Sequence, residues 1–115
     1  MTDSGDPQFC YVTTRGRVTG RQHEIEIWFA REPGARTIYM LSGGRDRSDW
    51  VRNIRADAAV TVRIGDETFG GSGRIVEPDT SEDALARRLL EGKYGHTMDL
   101  TRWLQESLPV AIDLS

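Results

Sequence analysis

Between Thr13 and Phe29 the sequence TTRGRVTGRQHEIEIWF joins a compact cationic turn to an alternating strand, and this pairing constrains the fold more than any other stretch. His23-Glu24-Ile25-Glu26-Ile27 alternates polar and apolar residues before Trp28-Phe29, so only one face of the strand is buried for most of its length. Arg15, Arg17 and Arg21 lie within seven residues that hold no acid. Gly16 and Gly20 let the backbone turn sharply and approach a ligand closely. Three guanidiniums around exposed amides suit an anion, most simply a phosphate or a carboxylate tail. An ordinary hairpin solvated by arginines fits the composition equally well.

The rest of the chain reads as short strands with helices between them. Phe9 to Thr14 is a strand leading into the turn, and the strand from His23 to Ala30 ends at the turn signal Pro33-Gly34. Thr37 to Ser42 is apolar enough to be buried on both faces. After Gly43-Gly44, Ser48 is a candidate helix cap, and Trp50, Val51 and Ile54 recur at helical spacing up to Ala56-Asp57. Val60 to Ile64 alternates as a further strand, with Gly65-Asp66 as a tight turn. Glu67 to Val76 follows, interrupted by Gly70, Gly71 and Gly73, which suggests a bulge or a close approach, and a possible sheet edge.

A helix capped by Thr80 or Ser81 then runs to about Glu91-Gly92, a short one covers Asp99 to Glu106, and Pro109 to Leu114 is the last strand. Connections are short and no βαβ repeat occurs. The expectation is therefore an α+β protein: an antiparallel split β-barrel of about six strands with two or three short helices. Residues 1–8 are expected to be a flexible N-terminus and 9–115 a single domain, since 115 residues suit one core.

Composition narrows the function. A net charge of −3 argues against a general nucleic-acid binder. Basic residues outnumber acids up to Arg63, while acids dominate from Asp66 onward, which suits a local anion site. The lone Cys10 excludes an internal disulfide and a multi-cysteine metal site, and fits a reducing cytoplasm. Between Phe9 and Tyr11 it reads as a buried core residue. No apolar run approaches the roughly 18–20 residues of a membrane span, and the N-terminus is acidic and polar, unlike a signal peptide. No membrane association is expected.

His23 and His96 are the only histidines, belong to no nucleophile motif, and read as surface residues without a metal role. Glu24 and Glu26 share a strand face and read as solvated. A second cationic stretch, Gly43-Gly44-Arg45-Asp46-Arg47-Ser48, connects strand to helix, where free amides favour an anion, although helix capping explains its acids as well. Two glycine-arginine turns are expected to meet over one ligand with a multiply anionic tail.

From Thr13 onward the chain resembles the deazaflavin-dependent nitroreductase family of actinobacterial split-barrel oxidoreductases. The residues that carry the resemblance are Thr13-Thr14-x-Gly16-Arg17-x-Thr19-Gly20, Trp28-Phe29, Ser42-Gly43-Gly44, Trp50 with Asn53, the run Asn53 to Ile64, and Tyr94, Trp103 and Pro109 in order. Val18 stands where the family usually has lysine, and His23 where it has a later arginine. The resemblance implies coenzyme F(420), a deazaflavin with a phospholactyl-oligoglutamate tail, as hydride donor. It gives the arginine turns a ligand of matching charge.

On this resemblance Arg15, Arg17, Thr19, Gly20 and Arg21 from the first turn bind the cofactor. Ser42, Gly43, Gly44, Arg45 and Arg47 from the second join them, with Trp50 packed alongside. Tyr94, expected in a flexible segment before His96, lines the substrate side as hydrogen-bond or proton donor. The implied function is hydride transfer from the reduced deazaflavin to a quinone, nitroaromatic or enone, by a homodimer. FMN, heme or another polycyclic anion is the alternative ligand, and a cofactor-less interaction module the alternative function.

Overall fold

A computed structural model describes residues 6–95 and 100–115. His96 and the expected helix start at Asp99 lie outside the described residues, as do residues 1–5. Six strands, β1 (Phe9–Arg15), β2 (Gln22–Trp28), β3 (Thr37–Ser42), β4 (Ala59–Ile64), β5 (Glu67–Ile75) and β6 (Leu108–Leu114), form one sheet. Among the described residues there are also helices α1 (Asp49–Ala56), α2 (Ser81–Tyr94) and α3 (Thr101–Glu106) and a 3-10 turn at Arg45–Arg47. The strand order is β2-β1-β4-β5-β6-β3, and every pairing is antiparallel. A bridge between Ala30 and Tyr39 returns β3 to the chain just past β2. The sheet thus curls into a barrel that is split between β2 and β3.

The core has two parts because β3 is buried on both faces. Ile38 and Met40 face the barrel interior with Cys10, Val12, Val62 and Ile112, and α1 adds Val51 and Ile54. Tyr39 and Leu41 face outward onto a second cluster with Ala86, Leu90 and Tyr94 of α2. Thr80 caps α2, its hydroxyl accepting from the Asp83 amide at 3.1 Å. Ser48 precedes α1 but makes no cap bond; its hydroxyl lies 2.8 Å from that of Ser42 instead.

The β5 glycines mark close approach rather than a bulge, for the register against β4 runs unbroken from Ala59↔Ser72 to Ile64↔Glu67. A Cβ on Gly71 would lie 2.9 Å from the Ile112 side chain, and one on Gly73 3.0 Å from Ile54. Nor is β5 an edge, as the sequence suggested: β4 and β6 flank it, and the ends of the order are β2 and β3. A clamp outside the barrel ties β5 to its neighbours. Arg74 holds Glu82 at 2.6 Å and Asp113 at 2.8 Å, while Tyr39 donates to Glu82 and Thr37 to Asp113. Residues 6–8 are pinned as well: Asp6 pairs with Arg31 at 2.8 Å, and the Lys93 ammonium donates to the Pro7 carbonyl at 2.9 Å.

Candidate functional site

The turn from β1 to β2 closes on its own backbone. The Gly16 amide donates to the Arg21 carbonyl at 2.7 Å and the Gly20 amide to the Gly16 carbonyl at 2.9 Å. Gly16 is constrained by space, since a Cβ there would sit 2.8 Å from His23 Nε2. Helix α1 faces this turn. Asn53 Oδ1 accepts from the Arg17 amide at 3.2 Å and from its guanidinium at 2.9 Å. Asn53 Nδ2 donates to the Thr14 hydroxyl at 3.1 Å, and Asp49 Oδ1 takes the second Arg17 amino group at 3.3 Å. Between turn and helix lies a cavity of about 430 Å³ lined by Thr14, Gly16, Arg17, Thr19, His23 and Trp50 among others. Trp50 is half-buried there.

Other residues expected at one site are distributed around it. Arg15 and Gly20 line a second hollow of about 370 Å³ across the turn, with Thr13, Gln22 and Thr61. The Arg21 amide donates to the Thr19 hydroxyl and so helps shape the turn. The two glycine-arginine turns do not meet. Ser42 donates to the Arg45 carbonyl at 2.9 Å, which curls the Gly43-Gly44 loop back on itself. Arg45, with φ of 54°, then reaches the Glu106 carbonyl at the end of α3. It lines a separate hollow with Arg87 and Arg88. Neither Arg45 nor Arg47 lines the Arg17 cavity.

Tyr94 is not in a flexible loop. The apolar series Ala86, Leu90, Tyr94 carries α2 past Gly92, and Tyr94 is 1% exposed. Its hydroxyl accepts from the Phe29 amide at 3.0 Å and faces the carbonyls of Phe29 at 2.8 Å and Gln8 at 2.5 Å. Burial pushes its pKa well above the usual phenol range, so the hydroxyl stays protonated. The geometry is that of a structural tie, and the side chain is absent from the lining of the Arg17 cavity.

A groove that the sequence reading missed lies farther along β2. It measures about 420 Å³ and is lined by Phe9, Glu26, Ile27, Trp28, Leu41 and Trp103. Trp28 stacks on Tyr94 at 4.3 Å and 6°, and meets Trp103 edge-on at 5.5 Å. The signal was present in the sequence: Trp28-Phe29 breaks the alternation of β2, so both faces are covered at its end. His23 to Ile25 line the cationic cavity and Glu26 to Trp28 the aromatic groove, so one strand serves both. The remaining groups offer little chemistry. Burial pushes the Cys10 thiol up to about 12. Glu24 and Glu26 are exposed, Glu26 accepting from the Tyr11 hydroxyl at 2.5 Å. Among the described residues no cluster of three His, Cys, Asp or Glu is placed to hold a metal. Among those residues, too, no helix is long and apolar enough to cross a membrane.

Comparison with known proteins bears on family and fold. The profile of the F(420)H(2)-dependent quinone reductase family matches residues 4–115. An F(420)H(2)-dependent quinone reductase of Mycobacterium tuberculosis is 29% identical over 75 residues, which cover 64% of this chain and 50% of that protein. The match thus spans about half the length of that relative. Among solved structures, one described as an F(420)-H(2) dependent reductase, FDR-A, superposes over 100% of both chains with a TM-score of 0.73 at 21% identity. Another, described as a domain-swapped dimer, gives 0.73 at 22% identity over 96% of this chain and 81% of its own. At these identities the structures establish the split-barrel fold.

Proposed function

The chain belongs to the F(420)H(2)-dependent quinone reductase family, and from that premise we propose that it binds reduced coenzyme F(420) beside Arg17 and reduces a quinone-like acceptor. The single observation that carries this reading is the cavity between the β1–β2 turn and α1, where Arg17 is fixed at the wall beside a half-buried Trp50. Its donor set fits the group. A guanidinium, the Thr19 hydroxyl and the His23 imidazole suit a phosphate or carboxylate, while Asp49 and Glu24 offset part of the charge.

When bound, the reduced coenzyme supplies a hydride. The protein's residues bind and orient rather than react. Arg17 and Thr19 hold the anionic tail, and Arg15 and Arg21 add attraction from the outer side of the turn. Trp50 packs beside the coenzyme. The aromatic groove at Trp28 and Trp103 takes a flat apolar acceptor, and Glu26 at its rim disfavours an anionic one. A quinone held there would be reduced to the hydroquinone by that hydride with a solvent proton; nitroaromatics and enones suit the same groove. We also propose a homodimer, supported by the open edge of β2 and the likeness to a domain-swapped dimer.

Fluorescence titration with coenzyme F(420), followed by turnover with a water-soluble quinone, tests the reading. Binding that weakens as salt rises, together with oxidation of the reduced coenzyme, supports it. Tight binding without oxidation by any acceptor makes the protein a binding module. No binding overturns the proposal. Light scattering at micromolar concentration tests the dimer, and a monomer removes it.

A further inference from the structure

We propose that Asn53 is a positioning residue that sets Arg17 for the anionic tail without neutralising it; this rests on the reading that Arg17 binds that tail. Asn53 is 3% exposed, so its amide must find protein partners. It finds them in the last part of β1 and at the start of the turn that follows. Oδ1 accepts from the Arg17 main-chain amide at 3.2 Å and guanidinium at 2.9 Å, while Nδ2 donates at 3.1 Å to Thr14, itself 1% exposed in β1. One side chain on α1 thereby fixes where the turn leaves the barrel and where its cation points.

The amide is the chemistry this position needs. A carboxylate would keep the acceptor bonds but lose the donor to Thr14 and cancel the charge of Arg17. An aliphatic side chain would leave both the Thr14 hydroxyl and the Arg17 amide unpartnered. Asp49 shows the contrast: it also pairs with Arg17, at 3.3 Å, but its side chain is 86% exposed and free to yield to an arriving anion. Asn53 acts through Arg17, since its Oδ1 is engaged by Arg17 and its Nδ2 by Thr14.

The test uses the full chain and coenzyme F(420) fluorescence, comparing wild type, Asn53→Asp, Arg17→Ala and the double variant across salt concentrations. Asn53→Asp is nearly isosteric. It should weaken binding at least tenfold and flatten the salt dependence, and the double variant should bind no worse than Arg17→Ala alone. A merely structural Asn53 would lower the melting temperature while the folded protein kept wild-type affinity and salt slope, and that result overturns the inference. Additive losses in the double variant overturn it too. If Arg17→Ala leaves affinity unchanged, the tail assignment fails and the inference fails with it. Weakening in Arg17→Ala beside a neutral Asn53→Asp defeats the inference alone. Should Asn53→Asp not fold, Thr14→Val carries the test by freeing the amide from β1: a several-fold weaker affinity supports the proposal and an unchanged one overturns it.

Discussion

Arg17 and Tyr94 stand near opposite ends of β2, and both are held by polar partners, yet they differ in what those partners are. The Tyr94 hydroxyl is tied to backbone: it accepts from the Phe29 amide and faces the carbonyls of Phe29 and Gln8. Phe29, just past β2, is fully buried, and its backbone groups cannot exchange this partner for a ligand without disturbing the packing there. Arg17 is held chiefly by side chains, with the Asp49 main-chain carbonyl a long contact at 3.5 Å, and the Asp49 carboxylate is open to water. A polar residue becomes a binding site when its partners can be exchanged. By that criterion the phenol is architecture and the guanidinium is the group proposed to hold the ligand.

The largest expected effect lies on the closed side. Tyr94→Ala should cost about 3–5 kcal/mol of stability, as large aromatic deletions in cores do, read by denaturant unfolding. The folded fraction should bind coenzyme with unchanged affinity; a selective loss of affinity would erase the contrast. Next comes Arg17→Ala, which should cost about 1.5–3 kcal/mol of coenzyme binding, the worth of a hydrogen bond to a charged group, while stability changes little. Equal losses of binding and stability would place Arg17 with Tyr94.

The Arg74 clamp, a cluster of partly exposed side chains outside the barrel, adds a test of stability through pH. Hydrogen bonds from Arg74 hold the Glu82 and Asp113 carboxyls below their ordinary 4.5 and 3.8. Their contribution is therefore fully present above those ordinary values and lost as pH falls through the lower folded-state values. Melting temperatures should drop on acidification in wild type and less steeply in Arg74→Met. Parallel curves would contradict the assignment. The smallest effect is Asp49→Asn, which removes an exposed counter-ion and should tighten coenzyme binding by about 0.2–1 kcal/mol at low salt. Weaker binding would mean that Asp49 helps hold the ligand rather than competing with it.

Much of this architecture is written locally. The alternation of β2 and β4, the turn at Gly65 and the two-sided apolar run of β3 each follow from a few adjacent residues, and the strands sit where those patterns put them. Tyr94 was misplaced because Gly92 reads as a helix stop. In the fold that glycine lies on the exposed side while Leu90 and Tyr94 continue the buried one. The direction of Arg45 was illegible for another reason: its partner is the Glu106 carbonyl, on a helix far along the chain. Arg17 was visible in its glycine-rich turn; Asn53 was visible as part of the family pattern, but not its role, because its partners come from a different element. Local pattern places strands; long-range packing decides which cations converge.

A crystal structure of the protein with coenzyme F(420) bound tests the central claim most directly. The account predicts the tail phosphate within hydrogen-bonding distance of the Arg17 guanidinium, Asp49 displaced from it, and Asn53 still bonded to Arg17 and Thr14. A phosphate seated instead against Arg45 and Arg87, with the Arg17–Asp49 pair intact, would contradict it.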